Sequence, residues 1–250
     1  MHVIMMVLLG FFVLAGILFF LGRHTFWLPT RNLTWPRLMM LHQVTPNEEA
    51  SGMNMPPERF ERLLQLLIQK KFRFVTVSEL ASTPSSHDVA LTFDDGFADN
   101  YYYAFPLLKK YNAKATIYLT PDIKGIDKLS PDQIQEMFES GLVEFGAHTV
   151  NHVNLLQVDD ELAMQEISTS KQRVEALVGE CKSFAYPYGR YADQHQAMVK
   201  AAGFSTAVST RKRIEFPSAE NIFNLPRIST HGKMSVFQMR IALAKGRFRF

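Results

Sequence analysis

The sequence predicts an α/β fold: an irregular (β/α) barrel of about seven strands, preceded by one N-terminal transmembrane helix. Two observations carry this. From Leu38 to Ala244, short aliphatic and β-branched runs alternate with stretches of helical period. Alternation of that kind implies parallel strands with helices outside them. Ahead of it, Val3 to Leu21 contains no charged residue, roughly the length that crosses a ~30 Å hydrocarbon core as a helix.

The expected organisation is an anchor over 1–24, a juxtamembrane linker over 25–37 and one folded domain over 38–250. A cleaved secretory signal would carry a basic start, a shorter apolar region and a small-x-small site. Here no Lys or Arg precedes the run, and Arg23-His24-Thr25-Phe26-Trp27 follows it. The reading is an uncleaved single-pass anchor, with Trp27 and Trp35 suited to the membrane interface. Arg23, Arg31 and Arg37 all follow the span, so the positive-inside rule places the domain in the cytoplasm.

Within the domain, Leu38 to Val44 reads as the first strand. Pro56-Pro57 opens a helix with Phe60, Leu63, Leu64, Leu67 and Ile68 on one face. Phe74 to Val77 and Val89 to Phe93 read as strands. A helix over Tyr101 to Tyr111 follows, compromised by Pro106. Ala115 to Leu119 is a strand, Ser130-Pro131 starts a helix ending near Gly141, and Leu142 to Gly146 is a strand. Asp159 or Asp160 caps a long helix that stops at Gly179. Ser183 to Tyr186, Phe204 to Ser209 and Phe223 to Ser229 read as extended. Helices cover Ala192 to Ala202 and Ser235 to Ala244.

A net charge of +3, spread along 250 residues, argues against a nucleic-acid partner, which favours a clustered basic face. Cys181 is the only cysteine, which excludes an intrachain disulfide and a thiolate metal cluster.

Candidate chemistry begins where the Val89 strand ends in Asp94-Asp95-Gly96. Adjacent carboxylates after an apolar strand imply a metal, a hydrogen-bond network or catalysis, because an unpartnered buried carboxylate is costly. The plain alternative is a solvated turn capping the next helix. Further on, His148 and His152 also follow a strand end. On a helical turn, residues four apart share a face, so both imidazoles reach one ion. Two imidazoles and one carboxylate leave positions open for water, as in catalytic sites.

Thr92-Phe93-Asp94-Asp95-Gly96 followed by His148-Thr149-Val150-Asn151-His152 resembles the polysaccharide deacetylases, the NodB-homology or carbohydrate esterase 4 family. The resemblance spans about residues 38 to 245. Leu41-His42-Gln43-Val44 and Phe184 to Gly189 look like the branch of poly-N-acetylglucosamine deacetylases. The resemblance implies a NodB-like fold, Asp94 as general base, and Asp95, His148 and His152 as metal ligands. The implied ion is divalent, Zn2+ by default, with Co2+ or Ni2+ also compatible with the donors. Pro187-Tyr188 matches the motif whose Tyr amide holds an oxyanion. His231, in Ile228-Ser229-Thr230-His231, matches the general acid, although the upstream leucine of that motif is out of register; its other reading is a surface loop histidine beside Gly232.

Two departures stand out. Ala185 occupies the position where the family usually has a base-orienting Arg; Arg227 is expected to supply that charge, whereas Arg190 lies beyond the turn glycine and is expected to be solvated. The family's Asp with a downstream Trp has no counterpart. His42 either faces the pocket as a substrate-binding residue or is a strand-end core histidine.

The implied function is metal-dependent removal of N-acetyl groups from an N-acetylhexosamine-containing cell-envelope glycan. Its implied partners are that glycan, the bilayer and polysaccharide synthesis or export machinery. The resemblance places the domain outside the cytoplasm, against the basic flank of the anchor. Rival readings are a cytoplasmic-face deacetylase of a lipid-linked sugar, an O-acetyl esterase, and a catalytically weak glycan-binding or assembly protein.

Overall fold

The computed structural model describes residues 2–23, 30, 31 and 35–248. Helix α1 (His2–Arg23) covers the expected anchor, and its described side chains, Ile4 to Phe19, are all exposed. Among the described residues no helix is long and apolar enough to cross a membrane. Trp27, His24 and linker residues 25–29 and 32–34 lie outside the described residues.

Strand and helix then alternate: β1 (Arg37–Leu41), α2 (Pro57–Gln69), β2 (Arg73–Phe74), α3 (Val77–Ser82), β3 (Asp88–Phe93), α4 (Phe105–Tyr111), β4 (Ala115–Leu119) and α5 (Pro131–Glu139). They continue through β5 (Val143–Ala147), α6 (Asp160–Val178), β6 (Ser183–Ala185), α7 (Asp193–Ala201), β7 (Thr206–Val208), β8 (Ile228–Ser229) and α8 (Val236–Lys245). The strands run parallel in the order β7-β6-β5-β4-β3-β1-β8, with β2 attached to β3. The row curls. Leu225 exchanges backbone hydrogen bonds with Ala207 and Ser209 beside β7, and three residues later Ile228 pairs with Met39 of β1. One segment therefore reaches both ends of the row.

Alternation along each strand divides the core. Leu38, Ala90, Tyr118, Ala185, Val208 and Leu225 gather in one cluster on the concave face. Their neighbours Met39, Leu91, Ile117, Phe184 and Ala207 join the larger cluster beneath the helices. The concave side is tight. A Cβ on Gly146 would lie 2.6 Å from the Tyr118 ring and 2.7 Å from the Ser183 carbonyl, so only glycine admits that ring.

Local chemistry explains the boundaries. Pro57 sits in the first turn of α2, where a missing N–H costs nothing. Asp159 is the residue that caps α6, accepting from the Leu162 N–H at 2.8 Å; Gly179 ends it with φ 81°. Ser130–Gln133 and Ser235–Gln238 form capping boxes for α5 and α8.

Several elements differ from the sequence expectation. The strand expected over Phe74 to Val77 stops at Phe74, because Thr76 and Glu79 form a capping box that starts α3. The first strand stops at Leu41. The Tyr101 to Tyr111 helix opens as a π-turn over Asn100–Ala104, and Pro106 lies in the first turn of α4. Ile68 is exposed, and Leu66 takes the buried place on α2. Phe223 to Ser229 contributes only β8 and the Leu225 bridge. Arg37, placed at the end of the linker, opens β1 and is buried, its Nε donating to Leu243 O at 2.7 Å.

Candidate active site

The carboxylate pair sits where β3 leaves the sheet. Asp94 shares the parity of Ala90 and Thr92, and its N–H extends the ladder to Leu41 O at 3.1 Å. Its side chain therefore points to the concave side. Asp95 would face away, but φ 74° at both Asp95 and Gly96 turns the chain and brings it to the same mouth. Both are buried. A Cβ on Gly96 would lie 2.9 Å from the Leu119 side chain.

His148 follows β5 with the parity of Gly146, its N–H bonded to Leu119 O at 2.9 Å. The helical turn expected to align His148 with His152 is absent: the segment is a loop, with φ 61° at Thr149 and 57° at His152. A carboxylate from α6 holds it. Glu166, itself buried, accepts from Val150 N–H at 2.8 Å, Asn151 N–H at 3.0 Å and Asn151 Nδ2 at 2.7 Å. Of the seven described non-glycine residues with positive φ, four are Asp95, Thr149, His152 and Tyr188. Such backbone costs about 1–3 kcal/mol per residue and concentrates at functional sites.

Asp95, His148 and His152 offer ligand atoms that all lie within 4.8 Å of one another. His148 Nδ1 lies 2.7 Å from Ala185 O. A carbonyl only accepts, so Nδ1 carries the proton and Nε2 presents its lone pair. Burial pushes the His148 pKa down to about 3, the nearby Asp94 charge opposing it, so the ring is neutral at pH 7. Burial also lowers His152. The two Nε2 atoms lie 3.7 and 3.3 Å from Asp95 Oδ1, a buried oxygen with no hydrogen-bond partner. The His148 lone pair thus faces an acceptor, an arrangement satisfied by a cation between them. Burial and the Asp94 charge push Asp95 up to about 7, partly offset by Arg227. These donors fit a divalent ion such as Zn2+.

Arg227 approaches Asp94 from the other end of the strand row. Nη1 and Nη2 donate to Oδ1 and Oδ2 at 2.6 and 2.8 Å. Nη1 also reaches Thr92 Oγ1 at 2.9 Å, and Nε reaches Ser209 O at 3.1 Å. Burial of Asp94 favours its neutral form, but the Arg227 charge and hydrogen bonds outweigh it and hold the carboxyl well below its usual range. Arg190 is exposed.

The remaining candidates divide. The Tyr188 ring lies edge-on to His152, with centroids 4.5 Å apart, at the rim of the site; Pro187 is buried in the turn before it. His42 is half-buried, its pKa lowered by burial, raised by Asp94 and lowered by Arg227. His231 is half-buried too, but the charges acting on it are Lys212 and Lys233, which add to burial in lowering its pKa. Glu166 and the Ala185 carbonyl were not singled out from sequence. For Glu166 the available signal was an acidic residue on the helix directly after the histidine loop.

A curled parallel sheet with its chemistry at the strand ends is the frame of a β/α-barrel hydrolase. A family model described as polysaccharide deacetylase matches residues 81–207, just over half the chain, and the chain belongs to that family. It is 25% identical over 202 residues to the poly-beta-1,6-N-acetyl-D-glucosamine N-deacetylase of Staphylococcus aureus, covering 73% of this chain and 69% of that one. The Streptococcus pyogenes deacetylase PplD, solved with acetate, superposes with a TM-score of 0.74 at 28% identity, covering 85% of this chain and 99% of that one. IcaB from Ammonifex degensii superposes at 0.73 with 25% identity, covering 85% and 97%. The protein is a deacetylase hydrolase.

Proposed function

We propose that the protein is a metal-dependent N-deacetylase of an N-acetylhexosamine polymer. The observation that carries this is the ionised, arginine-locked Asp94 beside Asp95, His148 and His152, whose ligand atoms all lie within 4.8 Å of one another. Asp95, His148 and His152 hold the cation. When bound it supplies Lewis acidity, polarising a carbonyl and acidifying water. Asp94 takes the water proton; two of its roughly four lone-pair sites face Arg227 and the others stay free. A carboxylate held so low is a weak base, so the water it deprotonates has to be acidified by its surroundings. Arg227 fixes both oxygens and prevents Asp94 from rotating into the ligand set. The Tyr188 backbone amide is assigned to the developing oxyanion, a role worth about 3 kcal/mol of barrier.

The proton for the departing amine is assigned to His42 rather than His231. His42 interacts electrostatically with Asp94, Arg227 and His152, whereas His231 interacts with two lysines. The S. aureus relative's name supports a β-1,6-linked N-acetylglucosamine polymer as the substrate.

Helix α1 is assigned as a bilayer anchor. Its described side chains are uncharged and exposed, and apolar surface left in water costs about 25 cal/mol per Å².

The test is acetate release from N-acetylglucosamine oligomers by wild type and Asp94→Asn, each with and without chelator. Release that is lost in the variant and with chelator is expected. Release unaffected by chelator would remove the metal role. Release from O-acetylated xylan alone would make the enzyme an esterase, and glycan binding without release would make it a binding protein.

A further inference from the structure

Three loops leave the sheet beside the carboxylate pair and meet around a cavity of about 660 Å³. They follow β1, β3 and β4, so the cavity opens at the same end of the sheet as Asp94 and Asp95. Gln43, next to His42, and Phe97, two residues past Asp95, both line it. Two residues span at most about 7 Å, so the cavity borders the ligand set.

The loops are fastened to one another. Asn54, fully buried, accepts from the Thr45 N–H at 3.0 Å and donates to Glu48 O at 2.8 Å. Asp99 accepts from the Val44 N–H at 2.9 Å, which ties the β3 loop to the β1 loop. The Ala98 N–H donates to Asp127 O at 2.9 Å, which ties it to the β4 loop. A cavity held by such bonds is pre-formed, and its volume lies in the range of about 300–1,000 Å³ that small-molecule sites occupy.

Its lining suits a sugar. Tyr102 is 57% exposed, yet its ring is braced: Tyr101 packs edge-on against it with centroids 5.5 Å apart and itself stacks on Phe105 at 5.9 Å. The ring stands on the π-turn over Asn100–Ala104, a rare geometry that is frequent at functional sites. Met53, from the β1 loop, is exposed too. Beside these apolar surfaces lie Glu48, Asp99 and Asp127, and among the described lining residues there is no Lys, Arg or His. Such a lining disfavours an anion. A pyranose fits it, because its C–H face packs on an aromatic ring and its hydroxyls donate to carboxylates.

We propose that this cavity binds a second pyranose unit of the glycan, a neighbour of the unit that loses its acetyl group. That the occupant is a hexosamine unit rests on the N-deacetylase reading. Asp99 lines the cavity and holds the backbone two residues past His42, and Asn100 Nδ2 donates to His42 O at 2.9 Å. The subsite and the segment carrying His42 are thus one bonded unit. It gives the enzyme a preference for chains over single sugars.

The test uses the full chain and separates binding from turnover. Calorimetric titration of β-1,6-linked N-acetylglucosamine oligomers, from monomer to pentamer, into Zn2+-loaded Asp94→Asn protein measures affinity; acetate release by the wild type measures kcat/KM. Both are expected to rise with chain length. Tyr102→Ala, added to Asp94→Asn, should weaken pentamer binding about 10-fold, and Tyr102→Phe should restore it. Tyr102 is exposed, so its truncation spares the core. Affinity that ignores chain length, or a length dependence that survives Tyr102→Ala, overturns the subsite. Length-dependent binding that is lost in Tyr102→Ala, with no acetate released by the wild type, upholds the subsite and removes the N-deacetylase reading.

Discussion

Arg227 and Asp94, 133 residues apart, form a two-pronged ion pair with both side chains buried. The pair crosses between β3 and the segment that touches both ends of the strand row, so it fastens the sheet and sets the base together. Removing the arginine leaves an unpaired buried carboxylate, a loss of about 3–5 kcal/mol in comparable cases. Arg227→Ala is expected to unfold at a lower temperature and to lose about 10²-fold or more in kcat. Arg227→Lys keeps the charge but not the fork, and should fold with an intermediate rate. The readout specific to positioning is the pH profile. Without Arg227, the main opposition to burial at Asp94 is gone, so the acid limb of kcat/KM should move to higher pH. An unmoved limb in a folded variant would leave Arg227 as a structural brace.

Metal affinity should fall as pH falls, and the window follows from Asp95. Without an ion, burial and the Asp94 charge push its carboxyl up to about 7, whereas burial pushes His148 down to about 3, so that ring is neutral above it. Binding an ion must therefore displace the Asp95 proton below pH 7 and needs no such step above it. The Tm gain on adding Zn2+ to chelator-stripped protein is expected to be larger at pH 8 than at pH 5.5. Asp95→Asn should abolish both the gain and its pH dependence. An equal gain at both pH values would show that Asp95 is not a ligand.

Glu166 never touches the ligand set, yet it fixes the loop between the histidines through three hydrogen bonds. Glu166→Gln keeps the shape but replaces one acceptor oxygen with a donor that faces N–H groups. Support residues of this kind typically change metal affinity by about 10–100-fold. The expectation is a drop of that size in Zn2+ affinity by competition titration, with kcat largely recovered at saturating metal. A kcat that stays low at saturating metal would mean that Glu166 does more than hold the loop.

Much of this site was legible because it consists of short strings at strand ends. Asp94-Asp95-Gly96 and the histidine pair are local patterns, and strand–helix alternation puts strand ends on one side. The geometry between them was not legible. The His148 loop reads as a helical turn until Glu166 arrives from α6, and on sequence alone a mid-helix glutamate looks like part of a solvated face. The concave face follows a two-residue period through Ala90, Thr92 and Asp94, but its tightness appears only when Tyr118 meets Gly146 across strands. The expected strand over Phe74 to Val77 ends at Phe74 because the capping box of Thr76 and Glu79 starts α3 instead.

The two candidate acids, His42 and His231, separate by their neighbours. A general acid must keep its proton, and a nearby negative charge favours the imidazolium. Burial lowers both histidines; at His42 the Asp94 charge opposes it, with Arg227 adding to it, whereas at His231 Lys212 and Lys233 only add to it. Backbone pairing still brings both to one end of the sheet, since the Thr230 N–H donates to Met40 O at 3.0 Å. His42→Ala is therefore expected to lose about 10²–10⁴-fold in kcat with its Zn2+ content intact and the alkaline limb of its pH profile gone. His231→Ala should retain most of wild-type kcat, with any loss confined to KM. The measurement is acetate release against pH for both variants, with bound metal quantified in the same samples. Collapse of His231→Ala alone, at full metal content, would return the acid role to His231 and leave His42 as a substrate contact.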